Sequence, residues 1–320
     1  MKACVIESPK NIVIDSQPLK LIEGTVKVKI TRTLVSATDI ALFLGKDTDK
    51  LPVVPCRIAA GLVSEADESS SFHKGEKVLL SPYIANKVHG ITCNGFLRDY
   101  AIVPESQLIS IPEGISDDEI VLADYVALAI TCLNEVDIKE HQYITILGTG
   151  VFPLILAQLA SYYRAIPIVV GKNDADLELA EGIGICYCIN SDKQDVQQRI
   201  MEITSGVMAD CTVFECVAGI NPQLALSLTA KGGKVCIVGF SAYMNKLSVD
   251  MRTILSRGLY VVGVSGGKDN FLTAINLLAT KAVDVKGLVN ERQAFDNVQD
   301  LLRSMAENDD DPTDVYIDVD

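Results

Sequence analysis

Basic side chains are scarce in this sequence of 320 residues. It contains 28 Lys and Arg against 42 Asp and Glu, so the formal net charge is −14 at pH 7. A surface that binds nucleic acid needs clustered positive charge to meet the phosphates, and this balance argues against such a partner. Hydrophobic residues at 48% and charged residues at 22% are typical of a globular protein. The length predicts about two domains.

The sequence also lacks any Cys-x-x-Cys pair among its nine cysteines. Their spacing therefore nominates no zinc or redox site. The apolar core of a secretory signal is missing near the start, because Glu7 and Lys10 directly follow Met1–Ile6. We therefore expect a cytoplasmic protein whose cysteines are reduced thiols.

A single uncharged stretch, Tyr143–Tyr163, is long enough to cross a bilayer. Gly148, Gly150 and Pro153 cluster where a spanning helix would have to be continuous. A buried strand that turns into a buried helix explains the same residues. We therefore expect no association with a membrane.

Short β-branched runs alternate with helical stretches from about residue 143 onward, a pattern typical of a parallel sheet with helices on its faces. The predicted strands are Tyr143–Leu147, Pro167–Val170, Cys186–Ile189, Cys211–Val217, Lys234–Val238 and Leu259–Val264. The predicted helices between them are Phe152–Arg164, Leu177–Gly182, Val196–Thr204 and Pro222–Ala230. This alternation predicts a doubly wound nucleotide-binding domain over residues 126–267.

The first 125 residues have a different pattern. Short alternating segments such as Lys27–Thr33, Val78–Leu80 and Asp99–Val103 are separated by Gly, Pro and Ser, which is typical of an all-β unit. Past residue 267, the helical stretch Phe271–Thr280 and the strand-like Val315–Val319 cannot form a core by themselves. We therefore predict an α/β protein in which residues 268–320 fold back to complete a β-rich domain over residues 1–125.

A glycine turn follows the first strand of the parallel series. It reads Gly148-Thr149-Gly150-Val151-Phe152-Pro153 and matches Gly-x-Gly-x-x-Gly at its first two glycines. The first glycine allows the tight turn, and the second lets the backbone approach a pyrophosphate at a helix N-terminus. Proline at the third position is tolerated in a first helical turn. We predict a dinucleotide site formed by Gly148, Gly150, Val151 and Phe152.

The end of the second strand indicates which dinucleotide binds. NAD-binding domains commonly place a carboxylate there for the ribose 2′-hydroxyl, but this sequence has Gly171, Lys172 and Asn173. With no carboxylate to repel a 2′-phosphate and an ammonium beside it, NADP(H) is favoured over NAD(H). In the alternative, Lys172 is a solvated loop lysine and Asp174 or Asp176 reaches the ribose.

Segments along the whole chain resemble the medium-chain dehydrogenase/reductase superfamily, in particular its alcohol and polyol dehydrogenases. Besides the glycine turn, the resemblance depends on Val35–Asp39, Pro52–Gly61, Gly75–Val78, Gly95–Tyr100, Phe214–Val217, Gly232–Val235, Val238–Gly239 and Gly263–Gly267. It implies a GroES-like catalytic domain, a Rossmann domain and an NAD(P)-dependent oxidoreductase. It also implies that the nicotinamide is lined by Cys216, Val217, Val238, Gly239, Phe240, Val264 and Ser265.

The departures from this family concern zinc. Where zinc-dependent relatives carry a Cys, a His-Glu pair and a Cys or Glu, this sequence has Ser36, Arg57-Ile58 and Asp124. Arginine stays protonated and offers only hydrogen-bond donors, so this set lacks the ligands that a catalytic zinc needs. The lobe that binds structural zinc is reduced to Ser81–Asn94 with Cys93 alone. We expect neither zinc, unless Cys56 or Cys93 rebuilds a site in a new geometry.

Three residues are candidates for the remaining chemistry. The resemblance places Thr38 where relatives carry the hydroxyl of a proton relay. Arg57 and Asp124 are predicted to form an ion pair where zinc would have been. The guanidinium then either polarises a carbonyl oxygen or holds a phosphate or carboxylate, or the pair merely fills the vacated site. Tyr125 is a further candidate proton donor or a core tyrosine.

The functional prediction is a zinc-independent, NADP(H)-dependent enzyme that transfers a hydride to or from a small carbonyl or alcohol, including polyols and sugar phosphates. The alternatives are a catalytically degenerate dinucleotide-binding protein, acting as a sensor or subunit, and a quinone or enone reductase. The strand Leu259–Val264 is expected at an edge of the Rossmann sheet. Because uncovered apolar edges are commonly paired, we predict a homodimer.

Overall fold

A computed structural model describes residues 1–16, 21–46, 48–216, 221–239, 248–307 and 314–319. The chain divides into two compact units. The first unit comprises Met1–Ala123 and Val289–Asp320, and the second comprises Asp124–Leu288.

Within these ranges the strands and helices follow one another along the whole chain. The strands are β1 (Lys2–Ser8), β2 (Asn11–Ser16), β3 (Thr25–Val35), β4 (Ala59–Glu65), β5 (Lys77–Leu80), β6 (Tyr83–Ile84), β7 (Lys87–Val88), β8 (Tyr100–Pro104), β9 (Leu108–Ser110), β10 (Tyr143–Leu147), β11 (Ile166–Gly171), β12 (Tyr187–Asn190), β13 (Ala209–Glu215), β14 (Thr229–Val238), β15 (Tyr260–Val264), β16 (Glu291–Ala294) and β17 (Val315–Asp318). The helices are α1 (Ala37–Phe43), α2 (Asp117–Ile120), α3 (Ala123–Val136), α4 (Val151–Tyr162), α5 (Asp174–Gly182), α6 (Val196–Ile203), α7 (Pro222–Leu228), α8 (Met251–Arg257), α9 (Phe271–Ala279) and α10 (Val298–Glu307).

The second unit is built on a parallel sheet with the strand order β12-β11-β10-β13-β14-β15. Its strands are buried and mostly apolar, as in Ile144 to Leu147 of β10, where Thr145 is the polar residue, and Ile168 to Val170 of β11, as expected for a sheet with helices on its faces. The order reverses beside β10, which is the switch point of a doubly wound sheet. The predicted fold class is confirmed.

The uncharged stretch Tyr143–Tyr163 forms β10 and α4, as predicted. The side chains along α4 from Val151 to Leu156 are buried. Burial within this unit thus explains why the stretch carries no charge. Over the described residues, we find no helix with both the length and the apolar character to cross a membrane.

The predicted boundary between α7 and β14 is wrong. The sequence predicts a helix to Ala230 and a strand from Lys234, but α7 ends at Leu228 and β14 begins at Thr229. The reason is tertiary: Thr229 pairs with Ala209 of β13, and the register then shifts before Lys234 pairs with Cys211. Strand pairing has prevailed over local helical preference here.

The residues after 267 do not all join the first unit. The predicted helix forms as α9, yet residues 268–288 lie in the second unit, whereas the prediction assigned 268–320 to the first. Two hydrogen bonds contribute to this arrangement: Gln158 Nε2 donates to the Asp284 carbonyl and the Asp284 N–H donates to Gln158 Oε1, both at 2.8 Å.

The first unit contains a sheet in the order β16-β17-β3-β4-β5-β9, with β8 also paired to β3. Its C-terminal strand β17 is antiparallel to β3, from Val315 opposite Val35 to Asp318 opposite Arg32. Helix α10 adds Val298 and Leu302, both fully buried, to the core of this unit. The strand-like stretch that was predicted near the C-terminus thus completes the β-rich unit.

Charged side chains reinforce the junction between β3 and the C-terminal strands. Arg32 Nε lies 2.7 Å from Asp118 Oδ1, and Arg292 Nη1 lies 3.2 Å from Asp318 Oδ1. The Tyr316 hydroxyl donates to the Asp118 carbonyl at 3.1 Å, and both guanidinium groups lie within 6 Å of the Tyr316 ring. These contacts are within the range of cation–π attraction and ion pairing.

Candidate active site

The glycine turn lies between β10 and α4 in the second unit. Gly148 has a φ of 118°, which a side chain would make strained. Its N–H donates to the Val170 carbonyl at 2.8 Å, which fixes the turn against β11. A Cβ on Gly148 would also lie 3.3 Å from Pro153 Cγ. The proline thus occupies space beside the turn, and the first glycine is required by the backbone.

Helix α4 begins directly after this turn. Gly150 is its N-cap and offers no side chain to its first-turn N–H groups. The side chains of Val151 and Phe152 are buried. These two residues can therefore contribute only backbone N–H groups to a bound anion, at the positive end of the helix dipole.

The end of β11 is closely packed around Gly171. A Cβ on Gly171 would lie 2.5 Å from Thr149 Cγ2 and 3.2 Å from Leu177 Cδ2. Asp or Glu at this position would therefore require the side chains of Thr149 and Leu177 to move. The glycine that was read from the sequence as a missing carboxylate is thus explained by close packing.

The two residues after Gly171 differ: Lys172 is exposed to solvent, whereas Asn173 caps a helix. Lys172 is exposed, and within the described ranges its ammonium makes no hydrogen bond or ion pair. Asn173 is the N-cap of α5 and accepts the Ala175 N–H at 3.0 Å. The Thr149 hydroxyl donates to Asp176 Oδ2 at 3.2 Å. Asp176 therefore borders the glycine turn.

The other residues expected to line a cofactor follow neighbouring strands at the same edge of the sheet. Cys216 follows β13, and its N–H donates to the Val238 carbonyl at 2.8 Å. Gly239 follows β14, and its N–H donates to the Val264 carbonyl at 3.0 Å, with Ser265 exposed next to it. The structure thus places these segments at the carboxyl edge of the sheet, where doubly wound folds bind ligands. Val217 and Phe240 lie outside the described residues.

A second group of polar residues is buried in the first unit, around Asp39. This carboxylate is fully buried at the start of α1. Its Oδ2 accepts the N–H and the hydroxyl of Ser36 at 2.9 and 3.0 Å, and its Oδ1 accepts the Cys56 N–H at 2.7 Å. Burial raises the pKa of Asp39, while these hydrogen bonds and the charge of Arg57 act in the opposite direction.

The backbone at Cys56 is unusual. Its φ is 67°, a left-handed conformation that favours glycine. The Cys56 carbonyl accepts the Phe96 N–H at 2.8 Å, and a Cβ on Gly95 would lie 2.2 Å from that carbonyl oxygen. Asp39 on one side and the Gly95–Phe96 backbone on the other therefore fix the chain immediately before Arg57, whose side chain is only 7% exposed.

The three predicted catalytic residues do not all belong to one unit. Thr38 and Arg57 lie in the first unit, where Thr38 is half-buried on α1. Asp124 is buried in the first turn of α3, at the start of the second unit. The pairing of Arg57 with Asp124 therefore stays a prediction. Within the first unit, Asp39 lies close enough to Arg57 for the two charges to interact. The sequence analysis includes Asp39 in the segment Val35–Asp39 but gives it no role.

The donor atoms at the expected zinc position do not fit a zinc ion. Arg57 presents only N–H donors and a positive charge, and the Ser36 hydroxyl donates to Asp39. In the part of the chain that the structure describes, no group of three or more His, Cys, Asp or Glu side chains could hold a metal ion. No chemical step is therefore assigned to zinc.

The shortened lobe before Gly95 holds a hydrogen-bonded histidine. His89 Nδ1 lies 2.6 Å from the Asn94 carbonyl and Nε2 lies 2.8 Å from Gln107 Nε2. Cys93 Sγ lies 3.6 Å from His89 Nδ1. His89 is buried, and this burial lowers its pKa. Because both of its nitrogens have partners, the neutral ring with Nδ1 protonated explains these contacts.

Two family models match the chain. One, described as the alcohol dehydrogenase GroES-like domain, matches residues 22–113, and the other, described as zinc-binding dehydrogenase, matches residues 153–280. The two matches fall in the β-rich unit and in the doubly wound unit, respectively. The chain belongs to the medium-chain dehydrogenase/reductase superfamily, and the expected GroES-like and Rossmann folds are confirmed. By family it is an oxidoreductase of the alcohol dehydrogenase type.

Relatives of known sequence align with most of this chain. An uncharacterized zinc-type alcohol dehydrogenase-like protein of Haemophilus influenzae is 24% identical and is covered over 96% of each chain. A sorbitol dehydrogenase of Halalkalibacterium halodurans is also 24% identical, over 82% of this chain and 83% of the relative.

Solved structures share the fold. A protein of Sinorhizobium meliloti described as a zinc-binding dehydrogenase, bound to NADP, has a TM-score of 0.85 at 22% identity, covering 99% of this chain and 98% of that one. Galactitol-1-phosphate dehydrogenase of Escherichia coli has a TM-score of 0.83 at 17% identity, covering 99% of each chain.

Proposed function

We propose that this protein is a zinc-independent, NADP(H)-dependent oxidoreductase that transfers a hydride between nicotinamide and a small carbonyl or alcohol. Polyols and sugar phosphates are the favoured substrates, because relatives and fold neighbours include sorbitol and galactitol-1-phosphate dehydrogenases. The proposal goes beyond family membership in three respects: the cofactor, the absence of zinc and the substrate class.

The observation that carries the proposal is the packing at Gly171. The side chains of Thr149 and Leu177 pack closely around this glycine, and position 171 carries no carboxylate that would select NAD by binding its ribose 2′-hydroxyl. The exposed Lys172 follows directly. This combination favours a cofactor with a 2′-phosphate.

The chemistry assigned to the chain depends on Arg57 and Thr38. NADPH, when bound, supplies the hydride. Arg57 stays charged and can donate hydrogen bonds to a carbonyl oxygen as negative charge develops on it. The Thr38 hydroxyl can relay a proton to that oxygen, giving up its own proton and taking one from water. Asp124 is proposed to complete the site.

The test is NADPH oxidation over a panel of aldehydes, ketoses, sugar phosphates, enones and quinones, with protein that has been treated with a chelator and analysed for zinc. We expect turnover of at least one carbonyl substrate at well under one zinc per chain. Turnover that returns only when zinc is added would contradict zinc independence. Binding of NADPH without any turnover would favour the second candidate.

That second candidate is a dinucleotide-binding protein without catalysis. The position of Asp39 favours this second candidate. The negative charge of Asp39 interacts with Arg57 and so weakens the attraction between Arg57 and a substrate anion. The two candidates predict the same cofactor binding, so the panel assay separates them.

We also propose that the protein is a homodimer paired through the edge of its Rossmann sheet. Strand β15 is the edge strand, and Tyr260 and Val261 on it are 64% and 46% exposed. Leu255 on the adjacent α8 is 76% exposed. Exposed apolar side chains on an edge strand favour association, and two-fold symmetry is its commonest form.

Light scattering at micromolar concentration is expected to give twice the chain mass of 34.5 kDa. Val261→Glu should shift the mass toward that of one chain, because it would bury a charge in the interface. Met201→Glu, at an exposed methionine on α6, is the matched control and should leave the mass unchanged. A wild-type mass near that of one chain would overturn the proposal.

A further inference from the structure

Asn190 ties together two loops at the carboxyl edge of the Rossmann sheet. It ends β12 and lies opposite Gly171, the last residue of β11. Its Nδ2 donates to the Lys172 carbonyl at 3.0 Å and to Asp174 Oδ1 at 2.6 Å. Its side chain is only 7% exposed. The loop that follows β11 and the first residue of α5 are therefore held in one position.

The second carboxylate oxygen of Asp174 faces a lysine from the next loop. Lys193 Nζ forms an ion pair and a hydrogen bond with Asp174 Oδ2. The two hydrogen bonds lower the pKa of Asp174, so it is ionised at neutral pH. Lys193, Asp174 and the exposed Lys172 thus lie together at the ends of β11 and β12.

Acidic side chains outnumber lysines at this edge before any ligand binds. Lys172 and Lys193 contribute two positive charges, while Asp174, Asp176 and Asp192 contribute three negative ones. The three acids differ in position: Asp176 accepts the Thr149 hydroxyl of the glycine turn, Asp174 accepts Asn190 and Lys193, and the Asp192 N–H donates to Asn190 Oδ1. A 2′-phosphate placed here would compete with Asp174 for Lys193.

We propose that Lys193 and Asp174 set the cofactor preference as a competing pair, in which Lys193 binds the 2′-phosphate of NADP(H) and Asp174 limits that binding by holding Lys193. The proposal depends on the proposed function only in that a nicotinamide dinucleotide binds at the glycine turn. It assigns specificity to a residue that lies 21 positions beyond Lys172 in the sequence.

The two partners then have opposite effects on affinity. Lys193→Ala removes the cation that binds the 2′-phosphate and leaves the Asp174 carboxylate unneutralised. NADPH should then bind about tenfold more weakly, because the loss of one charge-assisted hydrogen bond corresponds to about one decade in Kd. Asp174→Asn keeps the shape and removes the competing charge, so NADPH should bind about threefold more tightly. NADH, which has no 2′-phosphate, should change less than twofold in both variants.

The experiment is a titration that needs no substrate. NADPH and NADH are titrated by their nicotinamide fluorescence, and adenosine 2′,5′-bisphosphate and adenosine 5′-monophosphate are titrated by calorimetry. The bisphosphate should follow NADPH and the monophosphate should follow NADH. Lys139→Ala is the matched control, because Lys139 forms a similarly exposed pair with Asp137, at 62% exposure against 63% for Lys193.

Each outcome has a separate meaning. If Lys193→Ala and Lys139→Ala bind NADPH equally well, or if Lys193→Ala weakens NADPH and NADH alike, the inference is wrong while the proposed function stands. If the wild-type protein binds NADH alone, the inference and the cofactor part of the proposed function both fail. If it binds neither dinucleotide, the proposed function itself is overturned.

Discussion

Replacement of Asp39 by alanine is expected to lower the free energy of unfolding by about 3 to 5 kcal/mol, the usual cost of removing one charge from a buried set. The N–H groups of Ser36 and Cys56 would lose their acceptor in the interior of the first unit, and such unsatisfied groups are costly. The charge of Arg57 would lose a buried negative neighbour. Denaturant unfolding measures the change.

Asp300→Ala provides the control for this measurement. Asp300 pairs with Arg303 on α10, but its side chain is 88% exposed, and exposed ion pairs contribute about 0 to 1 kcal/mol. The difference between Asp39→Ala and Asp300→Ala tests whether burial of the carboxylate causes the loss of stability. A loss below about 1 kcal/mol for Asp39→Ala would mean that water or a neighbouring group replaces the carboxylate.

Replacement of Arg57 by lysine is expected to lower turnover at least a hundredfold, or about 2.7 kcal/mol of transition-state stabilisation. Lysine keeps the positive charge that Asp39 faces, so the first unit should stay folded. It loses the planar fork through which a guanidinium binds an oxygen anion from two nitrogens. The measurement is kcat on the best substrate of the panel, together with the Kd of NADPH.

The two readouts separate a functional Arg57 from a structural one. We expect the Kd of NADPH to change less than twofold, because the cofactor contacts assigned above lie in the second unit. Unchanged kcat in a folded Arg57→Lys protein would show that Arg57 only fills the position of the missing metal. Lys77→Arg, at an exposed lysine of the first unit, is the reverse substitution and should leave kcat unchanged.

Local patterns predict all six strands of the parallel sheet in the second unit. Strand β10 has the predicted bounds, because a buried run of β-branched residues ends at a glycine turn. The predicted helix past Leu228 is wrong for a non-local reason, since the pairing of Thr229 with Ala209 overrides the helical pattern. The separation of residues 268–288 from the C-terminal strand involves Gln158 and Asp284, which are 126 positions apart. Contacts of that range leave no signal in a single sequence.

The local features of the candidate site could be predicted from the sequence, but those that depend on distant contacts could not. The glycine turn and the absence of a carboxylate at Gly171 are visible in the sequence. The role of Asp39 is not, because it depends on the approach of Cys56, 17 positions further along. Lys193 has no motif of its own and becomes notable only through its contact with Asp174.

The pairing of β17 with β3 determines the order in which the newly made chain can fold on the ribosome. Strand β3 is synthesised early, yet its neighbour over Arg32–Val35 is Val315–Asp318, about 280 residues later. The unit Asp124–Leu288 is continuous and is fully synthesised before β17 emerges. Because domains generally fold as units during synthesis, the nascent Rossmann unit can fold co-translationally while β3 keeps an open edge. That edge stays unpaired until Val315–Asp318 have been synthesised.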